Sequence, residues 1–268
     1  MSAKTKALLT RLGIAAVALA VVVALLLALA KPDGPEPVPT DPPPPTEPTL
    51  PPSLYDSGDF ALDGEFLTCS AAETLLGIDV SRYQEEVDWP KVKAAGIDFV
   101  IVRLGYRGYE TGLLNEDTYA RQNLQGARDA GLLVGAYFFS QALTEEEARE
   151  EARFCLEILE GFPLDLPLTF DWEVQKRTEN ADGTTVTACA RAFCDEVSAA
   201  GRTPMIYFNP HQAATLFDLH QLTDLPWWLA MYDVGREFPC RFDIWQYTCT
   251  GKVDGIKGNV DLNILMVG

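Results

Sequence analysis

From Leu75 onward, short apolar runs alternate with amphipathic stretches, a pattern that commits this part of the chain to an α/β domain on a mainly parallel sheet. Eight runs read as strands: residues 77–81, 98–106, 133–140, 166–173, 204–209, 227–232, 242–248 and 259–265. Helical stretches fall between the first six, at 89–95, 116–130, 144–159, 185–200 and 211–216. After the sixth run the connections are too short for helices, so loops or hairpins are expected there. Eight strands with about five helices that fade toward the C-terminus predict an irregular, TIM-like (β/α) barrel rather than an open doubly wound sheet.

The N-terminal part has a different character. Residues 12–30 carry no charge and follow Lys4, Lys6 and Arg11. About 20 apolar residues cross a bilayer core, so this run predicts a transmembrane anchor, with residues 1–11 cytoplasmic and the rest exported. A cleaved signal peptide is the alternative, because Ala28-Leu29-Ala30 satisfies a small-x-small cleavage rule. Eleven of the 23 residues from 31 to 53 are proline, which predicts a polyproline linker standing off roughly 70 Å at ~3.1 Å per residue. Residues 54–74 have no clear assignment, and a single domain is expected over 75–268.

Charge narrows the function. The chain of 268 residues has a net charge of −18, and since its first 31 residues hold four bases and no acid, the remainder is strongly acidic. Such a body repels nucleic acid. With two histidines, His211 and His220, and no HExxH, CxxC, GxSxG, Walker or GxGxxG stretch, any chemistry is expected to rest on carboxylates.

Four acids end or border apolar runs, where the mouth of a barrel would be. Asp171 and Glu173 follow the buried-type run 166–170 and, two residues apart on a strand, point to one face. Their mutual repulsion and partial burial would raise one pKa, as protonating a glycosidic oxygen requires. Asp79 ends the first run and Asp261 lies in the last, and in a closed barrel those strands are neighbours. On the residues alone other roles stay open: helix capping, salt bridging, or oxygen ligation of a divalent cation, although the EF-hand spacing is absent. Tyr106, Tyr137, Tyr207, Trp228, Tyr232, Trp245 and Tyr247 accompany the acids, and aromatic faces stack on the C–H faces of sugars while Gln246 and Asn209 offer polar contacts.

Eight segments in order, GIDVSRYQ with VDW, FVIVRLGYR, the stretch from Asp117 to Asn123 leading into AGLLVGAYFFS, LPLTFDWE, PMIYFN, WWLAMY, IWQYT and GNVDLN, resemble the family 25 glycoside hydrolases, the Ch-type lysozymes. The resemblance covers about residues 77–265. It implies an irregular barrel that hydrolyses the β-1,4 bond between N-acetylmuramic acid and N-acetylglucosamine in peptidoglycan, without cofactor or metal. By the same resemblance Glu173 would be the general acid, with Asp171, Asp79 and Asp261 completing the acid set. Tyr106, Tyr137, Tyr207, Trp228, Tyr232 and Gln246 would contact substrate. The 109–114 loop and Phe208-Asn209-Pro210 depart from the family pattern.

A monomer acting on glycan strands is expected, at the membrane through the anchor that residues 12–30 predict, or released to the cell wall. Two other readings are a catalytically idle wall-binding module, which would be expected to lack Glu173 or Asp79, and an endo-N-acetylglucosaminidase. Six cysteines in an exported domain permit disulfides, with Cys155 to Cys189 or Cys194, or Cys240 to Cys249, as candidate pairs; free buried thiols are the alternative.

Overall fold

The computed structural model describes residues 49–267. The strands are β1 (Phe60–Asp63), β2 (Phe66–Cys69), β3 (Glu73–Val80), β4 (Phe99–Arg107), β5 (Leu114–Glu116), β6 (Leu133–Ser140), β7 (Leu168–Trp172), β8 (Pro204–Phe208), β9 (Trp227–Ala230), β10 (Ile244–Gly251) and β11 (Val260–Val267). The helices are α1 (Trp89–Ala94), α2 (Ala120–Asp129), α3 (Glu145–Ile158), α4 (Gly183–Ala199) and α5 (Pro210–Thr215). Each of the eight strand-like runs has a strand. Residues 116–130 divide instead: Leu114–Glu116 pair with the end of β4 as an antiparallel edge, and the helix starts only at Ala120.

Strand pairing closes the sheet in the order β3, β4, β6, β7, β8, β9, β10, β11 and back to β3. The pairs from β3 round to β10 are parallel, whereas β11 is antiparallel to both β10 and β3. Helices begin where polar side chains satisfy their first free N–H groups. Asp182 accepts from Thr185 N at 2.8 Å ahead of α4, and Asn209 accepts from His211 N and Gln212 N at 3.0 Å ahead of α5.

Alternation along the strands sorts side chains between two cores. Phe99, Ile101, Tyr137, Met205, Tyr207, Trp228, Ala230 and Ile244 fill the barrel interior, while their neighbours Val100, Val102, Phe138, Ile206, Trp227 and Leu229 face the surrounding layer. Gly77 makes the base of the interior possible, because a Cβ there would meet the Phe99 ring at 2.2 Å. The large ring and the missing side chain interdigitate as close packing requires.

No helix connects β9 to β10 or β10 to β11, so the outer face of these strands needs another cover. Residues 49–72 supply it. Phe60 stacks edge-on against Trp245 with centroids 4.8 Å apart, Tyr55 and Phe60 both lie against Phe242, and buried Leu67 donates its N–H to the Tyr247 hydroxyl at 3.3 Å. The last residues of the proline-rich stretch are pinned as well: Ser53 N donates to Pro239 O at 3.0 Å and Arg241 N donates to Pro51 O at 2.9 Å. Trp245 and Tyr247, offered by the sequence as rim aromatics, belong to this outer contact.

The expected membrane anchor at 12–30 and the linker before residue 49 lie outside the described residues. Among those described, no helix is long and apolar enough to cross a membrane. All six cysteines, Cys69, Cys155, Cys189, Cys194, Cys240 and Cys249, are free thiols.

Candidate active site

The parity that fills the interior with apolar rings near the base brings acids to the top. Asp79, Asp171, Glu173 and Asp261 line one cavity of about 260 Å³ with Ser81, Tyr83, Gln84, Arg103, Tyr137, Phe139, Tyr207, Trp228, Tyr232 and Gln246. Asp261 arrives differently from the other acids. It stands near the start of antiparallel β11, directly opposite Asp79, and only that reversed direction brings the beginning of a strand to the rim where parallel strands end. Glu173 lies one residue beyond β7, more open than Asp171 below it.

Around Asp79 the side chains form an ordered set of hydrogen bonds. Asp79 Oδ2 accepts from Gln246 Nε2 at 2.8 Å and from Asn263 Nδ2 at 2.9 Å. Gln246 Oε1 accepts in turn from the Tyr207 hydroxyl at 3.0 Å and the Tyr232 hydroxyl at 2.8 Å, and Asn263 Oδ1 from Trp228 Nε1 at 2.8 Å. Burial pushes Asp79 up to about 6 against the lowering effect of its donors. Burial and then the Asp79 charge push Asp261 up to about 8. The two carboxyls therefore titrate as a coupled pair that keeps a proton above the ordinary carboxylate range.

The other two acids lack such support. Asp171 is 6% exposed, yet its Oδ1 has no hydrogen-bond partner. Burial, followed by the charges of Glu173 and Asp79, raises Asp171 well above the usual carboxylate range, and Arg103 only partly opposes this. Burial also raises Glu173. Two neighbouring carboxyls that resist ionisation, one with a buried oxygen that lacks a partner, can hold a proton for transfer and accept a donor from a ligand.

The substrate-contact candidates divide. Tyr137, Tyr207 and Trp228 are buried and form the wall and floor, with Trp228 edge-on to Tyr207 at 4.8 Å and to Tyr137 at 6.0 Å between centroids. Tyr232, half exposed, and Gln246 reach the cavity from the β9–β10 side. Tyr106 must be corrected: it does not line the cavity. Counting from the inward Phe99 and Ile101, Tyr106 has the opposite parity, and its hydroxyl accepts from Arg82 Nη1 at 3.0 Å while its ring lies beside the Arg82 and Arg103 guanidinium groups. Asn209 likewise serves as a helix cap.

Sequence reasoning passed over Arg103, Phe139 and the turn Ser81 to Gln84. Arg103 was detectable, since it continues the inward series Phe99, Ile101 and a buried base on that face needs a partner; its Nε donates to Asp117 Oδ2 at 2.8 Å. Tyr83 is exposed at the rim with the Arg82 and Arg103 guanidinium carbons each 5.2 Å from its ring centre. Among the described residues, no group of three or more His, Cys, Asp or Glu side chains is arranged to hold a metal ion.

The sequence model of the glycosyl hydrolases family 25 matches residues 78–256, which hold most of this barrel and three of its four mouth acids, Asp79, Asp171 and Glu173. The chain belongs to that family. This family 25 chain is a glycosidase by class, and it is 30% identical over 203 residues to YegX of Escherichia coli K12, covering 72% of this chain and 70% of that one. It is 28% identical over 190 residues to the autolytic lysozyme of Clostridium acetobutylicum, covering 70% of this chain and 55% of that one. Among solved structures, the modular autolysin LytC from Streptococcus pneumoniae, in complex with a synthetic peptidoglycan ligand, matches with a TM-score of 0.63 and 26% identity over 74% of this chain. The match spans 48% of LytC, so the family 25 chain corresponds to about half of that modular protein.

Proposed function

We propose that the chain hydrolyses peptidoglycan at the β-1,4 bond between N-acetylmuramic acid and N-acetylglucosamine, with Glu173 as general acid. The observation that carries the reading is the pairing of Glu173, raised by burial at the cavity rim, with Asp171, whose Oδ1 is buried and unpartnered. A protonated carboxyl above an acceptor without a donor suits a sugar that bears both a glycosidic oxygen and an acetamido N–H.

In this mechanism the Glu173 proton passes to the leaving glycosidic oxygen. The C1–O bond breaks as the carbonyl oxygen of the substrate's own 2-acetamido group bonds to C1, giving an oxazolinium ring. Asp171 accepts from the acetamido N–H, and the positive charge on the ring favours its carboxylate form. Water then attacks C1 and gives a proton to Glu173, the ring reopens, and configuration is retained; such substrate assistance is a known departure from the scheme of two acting carboxylates. Tyr83 and Tyr232, exposed on either side of the cavity, offer faces for neighbouring sugar rings.

The test is digestion of purified cell walls followed by mass spectrometry of the borohydride-reduced products. Muramic acid is expected at the new reducing ends, and Glu173→Gln is expected to abolish them. N-acetylglucosamine at those ends would replace this reading with an endo-N-acetylglucosaminidase, and digestion by Glu173→Gln at the wild-type rate would end the assignment. The basic flank and apolar run up to residue 30 further support a tether that keeps the enzyme at the outer membrane face. Fractionation of cells expressing the full chain should find it in membranes, and a chain starting at residue 49 should lose that location.

A further inference from the structure

The peptide that carries Glu173 lies beyond the reach of the sheet on both sides. The β6–β7 ladder ends with Ser140 opposite Trp172, and the β7–β8 ladder ends with Asp171 opposite Tyr207. At this point two buried glutamine side chains take over. Gln141 Nε2 donates to Ser140 O and to Glu173 O, both at 2.8 Å, so one amide joins the end of β6 to the residue bearing the acid. On the other edge Gln212, from α5, accepts from Asn209 N at 2.9 Å and donates through Nε2 to Trp172 O at 2.7 Å. The carbonyls of two consecutive residues, Trp172 and Glu173, are thus held from opposite sides.

The clamp on the β6 side is itself braced. Thr178 Oγ1 donates to Gln141 Oε1 at 3.3 Å and lies 3.2 Å from Glu173 O. The guanidinium of Arg177 holds Gln141 O and pairs with Glu147 on α3. Gln141 is fully buried and Gln212 nearly so, which leaves neither amide an alternative partner in water.

We infer that Gln141 and Gln212 are positioning residues that extend the sheet by one residue on each edge of β7 and thereby fix the direction of the Glu173 carboxyl. The inference rests on the proposed role of Glu173. Neither glutamine touches the cavity, so each acts only through the main chain of residues 172 and 173. Misplacing a reacting group by about 1 Å can cost roughly a hundredfold in rate.

The experiment uses Gln141→Met and Gln212→Met, which keep side-chain length and remove the donors, with Thr178→Val as a milder change should either fail to fold. Two readouts are taken on folded protein: kcat and KM on soluble glycan strands, and the titration of Glu173 followed by carboxyl carbon NMR, assigned by its loss in Glu173→Gln. Expected are a fall in kcat of about tenfold or more with KM within about twofold, and a Glu173 titration moved to lower pH as the released carboxyl gains water. Unchanged kcat and unchanged titration in the folded variants would overturn the inference. The NMR shift is read without turnover, so an inactive wild type would overturn the proposed reaction while the shift still decides the positioning role.

Discussion

Asp79 and Asp171 are almost equally buried, 5% and 6% exposed, and stand three strands apart around the same barrel, yet their surroundings are opposite. Asp79 is met by the amides of Gln246 and Asn263 and by the proton of Asp261, and two tyrosines and a tryptophan hold those amides in turn. Asp171 has an oxygen that nothing meets. A buried carboxylate oxygen met by two amide donors is held by the scaffold, while one left short of a donor costs folding energy that a ligand can recover. Under the proposed mechanism, that difference marks Asp171 as the acid left for substrate.

Substitutions should separate the two along that line. The largest effect is expected at Glu173 beside Asp171: Glu173→Gln removes the proton donor, worth roughly 10²–10⁴ in rate for a general acid. Asp171→Asn should follow with a loss of roughly 10²–10³, the scale of removing one preorganised electrostatic contact to a developing charge, and with little change in melting temperature. Asp79→Asn should reverse the pattern, because two or three charge-assisted hydrogen bonds are weakened and stability falls by roughly 2–3 kcal/mol, while kcat on the folded fraction falls less than in Asp171→Asn. Assays on cell walls alongside thermal melts check all three, and a stable but inactive Asp79→Asn protein would break the division of roles.

The pH profile sharpens the same comparison. In the proposed mechanism Glu173 enters the cycle protonated, and burial raises it, so activity should be lost as pH rises through a folded-state value above its ordinary one. Since burial is the cause of the Glu173 shift, Asp171→Asn and Asp79→Asn should both leave that limb near its wild-type position even where they lower the rate. Initial rates on soluble glycan from pH 4 to 9 would read both limbs.

The strands were legible because residues buried on both faces form continuous apolar runs, and the four acids because each interrupts or ends such a run. The cover over β10 and β11 was not legible. Tyr55, Phe60, Phe66 and Leu67 show no period of their own and gain meaning only against a sheet face that lacks helices. Tyr106 was placed among the contacts as one more aromatic at a strand end, although alternation from Phe99 and Ile101 gives it the opposite parity. Gln141 and Gln212 were invisible for another reason: they act on main-chain carbonyls, and no side-chain motif records which carbonyl lies where a ladder stops.

The smallest expected effect lies within the supported half of the comparison. Asp261 is raised to about 8 by burial and by Asp79, whereas in the unfolded chain it titrates near the ordinary value of 3.8. A carboxyl raised on folding contributes stability that is fully present below its unfolded value and is lost as pH rises through its folded value. Between these limits the folded state holds the extra proton, so stability should decline as pH rises from about 4 toward 8 and level off above it. Asp261→Asn fixes the neutral form and keeps a donor for Asp79. Its melting temperature should stay within a few degrees of wild type near pH 4, where Asp261 is still partly protonated in the unfolded chain, and should exceed wild type by a margin that grows up to about pH 8. Parallel melting curves for the two proteins across that range would mean that Asp261 ionises without cost beside Asp79, and the proton kept by the pair would have to be abandoned.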